Sequence, residues 1–294
     1  MGCSSFPPQN GTQLPEHLTA RYELDSVPFY PQKAYQCGPA ALAMVLSWSG
    51  IMVDPDTLTL EVFTPSRKGS LQSAMIGGAR RYGRVAYPIS SFSEMLAEVA
   101  AGHPVIVLEN LGLSWYTVWH YAVVIGYDLS QGIVIMHSGV TPQKQISLRV
   151  FENTWARSDY WGLLVLPASR LPATAKEGDY ISAVLGLEQA RQWRHAVEAY
   201  KAALLRWPES LSILMGLGNS YYALRDLEYA ETAFRRATSL HPNNGAAFNN
   251  LAHVLWEQGK KQEALEAARK AVTIGGPLSA VYEKTLEEIE AGEP

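Results

Sequence analysis

The chain has 294 residues, 47% of them hydrophobic and 18% charged, enough for two ordinary globular domains. Its formal net charge of −4 argues against a nucleic-acid partner, and it lacks a run of apolar residues long enough to cross a membrane. Its two cysteines, Cys3 and Cys37, do not make a disulfide framework, and its His and Cys residues lack zinc-ligand spacing, so neither a metal nor a cofactor is expected.

Residues 1–20 read as an anchor and tether. Met1-Gly2-Cys3-Ser4-Ser5 resembles the cut end of a bacterial lipoprotein signal, where cleavage falls before a cysteine that follows Gly or Ala. The resemblance implies a removed signal peptide and a lipid on Cys3. The serine after it implies sorting to the periplasmic side of the outer membrane. Residues 4–20 are polar and rich in Pro and Gly, as a tether between membrane and domain should be. The alternative is a cytosolic protein with a chance Gly-Cys.

A first domain is expected over residues 21–170. Leu24, Val27 and Phe29 suit a short strand. Pro28 and Pro31 keep the chain extended or turning up to Gln32 and the polar run before Cys37. From Cys37 the pattern changes. Ala40 to Leu46 reads as a buried helix ending near Trp48, with Pro39 in its first turn and Gly50 just past its end. A cysteine at that junction sits at the positive end of a helix, which favours thiolate over thiol. Gln32, five residues earlier, brings a side-chain amide that suits an oxyanion donor. A lone cysteine is otherwise a small buried core residue.

Asp54 precedes an apolar-periodic stretch and caps a short helix, although Leu58, Leu60 and Val62 also alternate as in a strand. A helix is expected from Ser70, as its N-cap, to Gly83. Another runs from Ser91 to Gly102. Strands follow at Pro104–Leu108, Tyr121–Gly126, Gly132–Met136, Ile146–Val150 and Trp161–Leu166. Helices first and then strands at hairpin spacing give an α+β domain with an antiparallel sheet. His120 enters the second of these strands. An imidazole beside Cys37 takes the thiol proton and later protonates the leaving amine. A strand-end histidine can equally be structural. His103 reads as a surface turn residue, and His195, His241 and His253 as solvated residues of a helical tail. The aromatics of Leu111–Trp119 form either a wall of a groove or a cap on the core.

Two motifs in this order carry a family resemblance: Gln32-x4-Cys37-Gly-Pro-Ala-x-Leu-Ala-Met-Val-Leu and, much later, His120-Tyr-Ala-Val-Val-Ile-Gly-Tyr-Asp128. Over roughly residues 24–167 the chain resembles the C39-like cysteine peptidases, the papain-like group that includes domains cutting double-glycine leader peptides. The resemblance implies a papain-like α+β fold and a peptide or protein substrate, cut near small residues such as Gly-Gly. It implies Cys37 as nucleophile, His120 as base and then acid, and Gln32 with the Cys37 N–H as oxyanion donors. Relatives carry Asp-Pro after the strand that follows the histidine. Here that place reads Ile135-Met-His-Ser-Gly139, with His137 or Ser138 where the Asp falls; Asn110, Asp128 and Asn153 are further candidates. A missing orienting residue lowers rate by orders of magnitude while leaving some activity. Two other functions fit the same residues: a non-catalytic peptide-binding lipoprotein, and a papain-like acyl transferase that passes the acyl group to an amine.

Residues 171–294 change character, from strands to Ala-rich helical periodicity. Ala196, Ala230 and Ala264 recur at a spacing of 34 residues, as do Ala203, Ala237 and Ala271. The copy Leu217-Gly-Asn-Ser-Tyr221…Ala230…Phe234…Ala237…Pro242 resembles the tetratricopeptide pattern. Three repeats are read, at about 177–210, 211–244 and 245–278, with a glutamate-rich capping helix from Leu278 to about Ala291. The resemblance implies an all-α domain that takes a protein or peptide partner in its groove. The anchor expectation has a direct test. Expressed with its natural leader in a bacterial host, the protein should incorporate labelled palmitate and sediment with membranes, and Cys3→Ala should release it unlabelled.

Overall fold

The computed structural model describes residues 18–113 and 115–292. Cys3 and the lipid-anchor expectation lie outside the described residues. The chain divides into two compact units, one ending at Gly186 and one starting at Leu187.

The first unit begins with β1 (Arg21–Glu23), α1 (Cys37–Trp48), α2 (Pro55–Val62), the small hairpin β2 (Phe63–Thr64) and β3 (Gly69–Ser70), and α3 (Gln72–Arg81). It continues through β4 (Arg84–Ile89), α4 (Phe92–Ala100), β5 (Val105–Asn110), β6 (Trp119–Asp128), β7 (Ile133–Ser138), β8 (Thr141–Ser147), α5 (Leu148–Ala156) and β9 (Gly162–Pro167). The main sheet runs β4-β9-β5-β6-β7-β8, with β1 added along β6, and all its pairs are antiparallel. This is the expected α+β architecture.

The sheet is covered on both faces. Helix α1 is buried from Gly38 to Leu46, because it lies between the sheet and α2 and α3. Ile106, Tyr121, Val123, Ile125, Ile135, Leu163 and Val165 meet it from the sheet; Leu58, Val62, Met75 and Ala79 meet it from the other helices. The alanines at 40, 41 and 43 let these surfaces approach. The residues between, such as Val107, Ala122, Val124 and Met136, are buried on the opposite face. There α4 and α5 pack, with Phe92 and Phe151 rings 6.4 Å apart and Phe151 and Trp155 rings 5.4 Å apart.

Several local expectations are corrected. Ser70 does not cap a helix; it pairs with Phe63 in the β2–β3 hairpin, and α3 starts at Gln72. The stretch 146–150 is not one strand. The chain turns at Ser147, whose hydroxyl accepts from the Val150 N–H and starts α5. Phe151 and Trp155, four residues apart on the buried side of that helix, were the signal for it. At 54–62 the helix prevails over the strand. Asp54 accepts from the Asp56 N–H at 2.7 Å, Leu58 and Val62 are buried, and Leu60 is 89% exposed.

His103 is also corrected, from surface to core. It is buried against the Trp48 ring, and its Nδ1 meets Glu98 Oε2 at 2.6 Å. Glu98, 0% exposed, also accepts from the Ala173 and Thr174 N–H groups and the Thr174 hydroxyl. One carboxyl thus holds α4, the turn after it and the segment beyond β9 together.

Helix α6 (Glu177–Gln189) crosses the division between the units. The second unit continues with α7 (Trp193–Arg206), α8 (Leu211–Ala223), α9 (Leu227–Leu240), α10 (Gly245–Glu257), α11 (Lys261–Ile274) and α12 (Ser279–Ala291). The period of 34 reappears in the starts of α7, α9 and α11, and again in those of α8, α10 and α12. All six register alanines are fully buried where helices meet. Gly218 shows why the pattern needs a small residue: a Cβ there would lie 2.5 Å from the Phe234 ring.

Glu98→Ala leaves three backbone or hydroxyl donors and His103 without their acceptor. It should cost about 3 kcal/mol in urea unfolding of the first unit. A loss below about 1 kcal/mol would remove the carboxyl from this role.

Candidate active site

Cys37 is the first residue of α1, after Gln36 at φ −104° and ψ 25°. Its sulfur receives the backbone N–H groups of Cys37 and Gly38, from the opening turn of the helix, and that of Tyr121 on β6. These donors favour the thiolate. Burial opposes them and is the larger effect, so the thiol is pushed above its ordinary value. Gly38 is required by its surroundings, because a Cβ would lie 2.5 Å from Ser70 Oγ and 3.2 Å from Met75 Sδ.

The β6–β7 ladder ends at the pair Val123–His137, and the strands then part. Tyr121 on β6 is left facing a notch. Gln32 fills it. Its Nε2 donates to the Tyr121 carbonyl at 3.1 Å, its Oε1 accepts from the Gly139 N–H at 3.0 Å, and its own N–H donates to the Gly139 carbonyl at 3.0 Å. The Cys37 sulfur takes the Tyr121 N–H on the same side. Gln32 and Cys37 therefore share one residue of β6 between them. One N–H of the Gln32 amide is committed to Tyr121, and the second is the one that suits an oxyanion.

His120, next to Tyr121, lies on the sheet face covered by α5, since Tyr121, Val123 and Ile125 belong to the α1 core. Its Nε2 lies 3.0 Å from Ser138 Oγ. Burial, with Lys144 of β8 nearby, pushes the imidazole down to about 4. At neutral pH the site thus holds a thiol and a neutral imidazole. Ser138 engages Nε2; in the tautomer that carries its proton there, Nδ1 is the atom able to take one.

The structure distinguishes among the residues weighed for the third position. Ser138 is the one in contact with His120. Alternation along β7 explains it: Ser138 and Met136 share His120's face, whereas His137 points to the other. His137 donates from Nε2 to the Val27 carbonyl at 3.1 Å and accepts at Nδ1 from the Gln143 N–H at 3.1 Å, beside the Phe29 ring. Asn110 accepts from the Gly112 and Val118 N–H groups and shapes a hairpin tip. Asp128 caps the β6–β7 turn through Ser130 and Gln131, eight residues and roughly 27 Å along the strand from His120. Asn153 is exposed on α5. Reading by residue type missed Tyr121, because its contribution to the sulfur is a backbone group; its hydroxyl donates to the Ser70 carbonyl at 3.2 Å.

Beyond Asn110 the β5–β6 hairpin continues through Leu111–Val118 and Leu113–Tyr116 backbone bonds. Its side chains do not cap the core. Trp115 is 81% exposed, and Leu111, Leu113, Tyr116, Val118 and Trp119 are exposed as well. This apolar surface leads directly into His120. In the second unit, a cleft of about 670 Å³ is lined by Tyr222, Arg225, His253, Trp256, Glu257 and Glu288, among others. Among the described residues there is no group of three or more His, Cys, Asp or Glu side chains that could hold a metal ion.

Residues 24–162 match the model of the family described as Peptidase C39 like, and residues 183–231 and 217–279 match the tetratricopeptide repeat. Two curated relatives match by sequence. Stress-induced-phosphoprotein 1 of Caenorhabditis elegans is 36% identical over 66 residues, 22% of this chain and 21% of its own length. Small glutamine-rich tetratricopeptide repeat-containing protein 2 of Mycosarcoma maydis is 29% identical over 97 residues, 33% of this chain and 27% of its own. The chain therefore spans about a fifth to a quarter of these relatives. Among solved structures, one described as a C39-like peptidase from Bacillus anthracis is 21% identical, covers 50% of this chain and 97% of that one, and has a TM-score of 0.42. A type III secretion chaperone from Yersinia enterocolitica, in complex with a translocator peptide, is 16% identical, covers 40% and 97%, and has a TM-score of 0.38.

The protonation states set a pH profile. In a Cys3→Ser background, carboxamidomethylation of Cys37 should accelerate about tenfold per pH unit through pH 9, because the raised thiol stays protonated and its thiolate grows with pH. Ser138→Asp puts an anion on Nε2. It should raise the imidazole by about 1–3 units and the pH 7 rate at least about tenfold. A flat wild-type profile between pH 5 and 8 would contradict the neutral pair.

Proposed function

We propose that this chain, a C39-like peptidase domain followed by tetratricopeptide repeats, is a cysteine peptidase acting through a thioester on Cys37. The observation that carries the reading is the junction at Tyr121. A helix-start cysteine and an amide side chain both bind the backbone of Tyr121, the residue next to His120, whose imidazole bonds Ser138. As the sulfur attacks a peptide carbonyl, its proton passes to His120 Nδ1, with Nε2–H held by Ser138. The oxyanion is met by the Cys37 N–H and the second Gln32 amide N–H. His120 then returns the proton to the leaving amine, and water releases the acyl group. Because the resting pair is neutral, proton transfer accompanies attack rather than preceding it. The exposed apolar hairpin before His120 suits a substrate with bulky nonpolar residues near the cut. The repeats recruit a protein substrate or partner, and a lipid on Cys3 would hold the enzyme at a membrane on the periplasmic side.

A second reading is favoured by Ser138. A hydroxyl where an anion would orient the histidine fits a domain that captures a peptide without cutting it. The two readings separate on one experiment. A peptide library is incubated with wild type, Cys37→Ala and His120→Ala, and products are read by mass spectrometry. The peptidase reading expects cleavage that Cys37→Ala abolishes and His120→Ala slows by at least about a hundredfold. Peptides that bind wild type and Cys37→Ala alike, with no cleavage by either, would overturn it in favour of capture.

A further inference from the structure

We propose that Glu109 is the charged partner of His120, a positioning carboxylate supplied by β5 in place of an anion on β7. This rests on the peptidase reading and names the group that stabilises its imidazolium.

The β5–β6 register sets Glu109 directly opposite His120. Side chains of such a pair project from the same face, with Cβ atoms about 4.5–5.5 Å apart. Both residues therefore lie on the α5 side, and Glu109 is 1% exposed there. Thr154 of α5 donates its hydroxyl to Oε1 at 2.6 Å, which fixes the carboxyl from the helix side. Lys144 of β8 acts electrostatically on both Glu109 and His120, which puts the three groups in one neighbourhood. From β7 the imidazole meets the Ser138 hydroxyl. Arg157 of α5 is directed elsewhere, to the Asn110 and Gly112 carbonyls of the hairpin. From α1 comes the Cys37 sulfur, held by the Tyr121 N–H.

A carboxyl on a strand interior beside a helix is an expensive way to satisfy one threonine. Its environment makes sense as half of a couple. Burial pushes the carboxyl up and the imidazole down, so each charge is disfavoured alone. When the Cys37 proton reaches Nδ1, the S–H electron pair goes to the new S–C bond and a positive charge appears on the ring. An ionised Glu109 across the ladder offsets the burial cost of that charge. No bond forms to Glu109, and it takes no proton from the thiol.

The test uses the full chain in a Cys3→Ser background, with Glu109→Gln, Glu109→Asp and His120→Gln. The His120 imidazole resonance, assigned by its loss in His120→Gln, is titrated by NMR. Cys37 is inactivated at pH 7 with an electrophilic peptide trap, read as kinact and KI. In wild type that resonance should shift a second time as Glu109 ionises, above the imidazole midpoint, and Glu109→Gln should remove this second step. It should also cut kinact at least about tenfold, with KI and the melting temperature held; Glu109→Asp should recover most of both. A second step that is absent from wild type, or unchanged in Glu109→Gln, overturns the proposal. So does a kinact loss that Glu109→Asp shares in full together with a fall in melting temperature, as a merely structural role predicts. Failure of the peptidase reading looks different: His120→Gln would leave kinact unchanged whatever the titration shows.

Discussion

The site depends on one interruption of hydrogen bonding. After His137, β7 no longer pairs with β6, and the N–H and C=O of Tyr121 need other partners. Buried backbone groups are seldom left unmet. Here Gln32 takes the carbonyl and the Cys37 sulfur takes the N–H. The same interruption that would weaken a sheet becomes the place where a loop, a helix start and a strand end are locked together. Gln32 also ties down Gly139 from both sides, so the position of Ser138 follows from it. The histidine, its hydroxyl partner and the thiol are therefore positioned by one set of short bonds rather than by separate elements.

Electrostatics at this point run in two directions. Three N–H groups converge on the sulfur and favour negative charge; burial disfavours it and prevails at rest. The imidazole is likewise kept neutral by burial and by Lys144. The result is a site that holds a thiol and a neutral imidazole at neutral pH. This suits a buried nucleophile whose partner on the next strand is a hydroxyl.

Much of this was legible in the sequence, for reasons that differ by element. Helix α1 begins at Cys37 and ends at Trp48 as read, because its apolar run and first-turn proline have no competing interpretation. The helical repeats were legible because three copies average out local ambiguity; the helix starts recur at the same 34-residue spacing as the alanines. Alternating segments were harder. Ile146–Val150 divides between β8 and α5, and only the downstream Phe151 and Trp155 declare the helix. His103 looked like a surface turn because its partner, Glu98, becomes visible only once α4 folds back. The choice between His137 and Ser138 needed the strand's phase, which residue type does not carry. Asn110 and Asp128 were reasonable candidates by chemistry, and both are spent on turns.

The central claim is that Cys37 becomes acylated because His120 takes its proton. The direct measurement is intact-protein mass spectrometry after rapid mixing with an activated peptide ester, in a Cys3→Ser background. The account predicts one acyl group on Cys37 in wild type, removed by hydroxylamine as a thioester is, and formed at least about a hundredfold more slowly in His120→Ala. Wild-type protein that binds the peptide by NMR yet never carries the acyl mass, or acylates equally fast without His120, would contradict it.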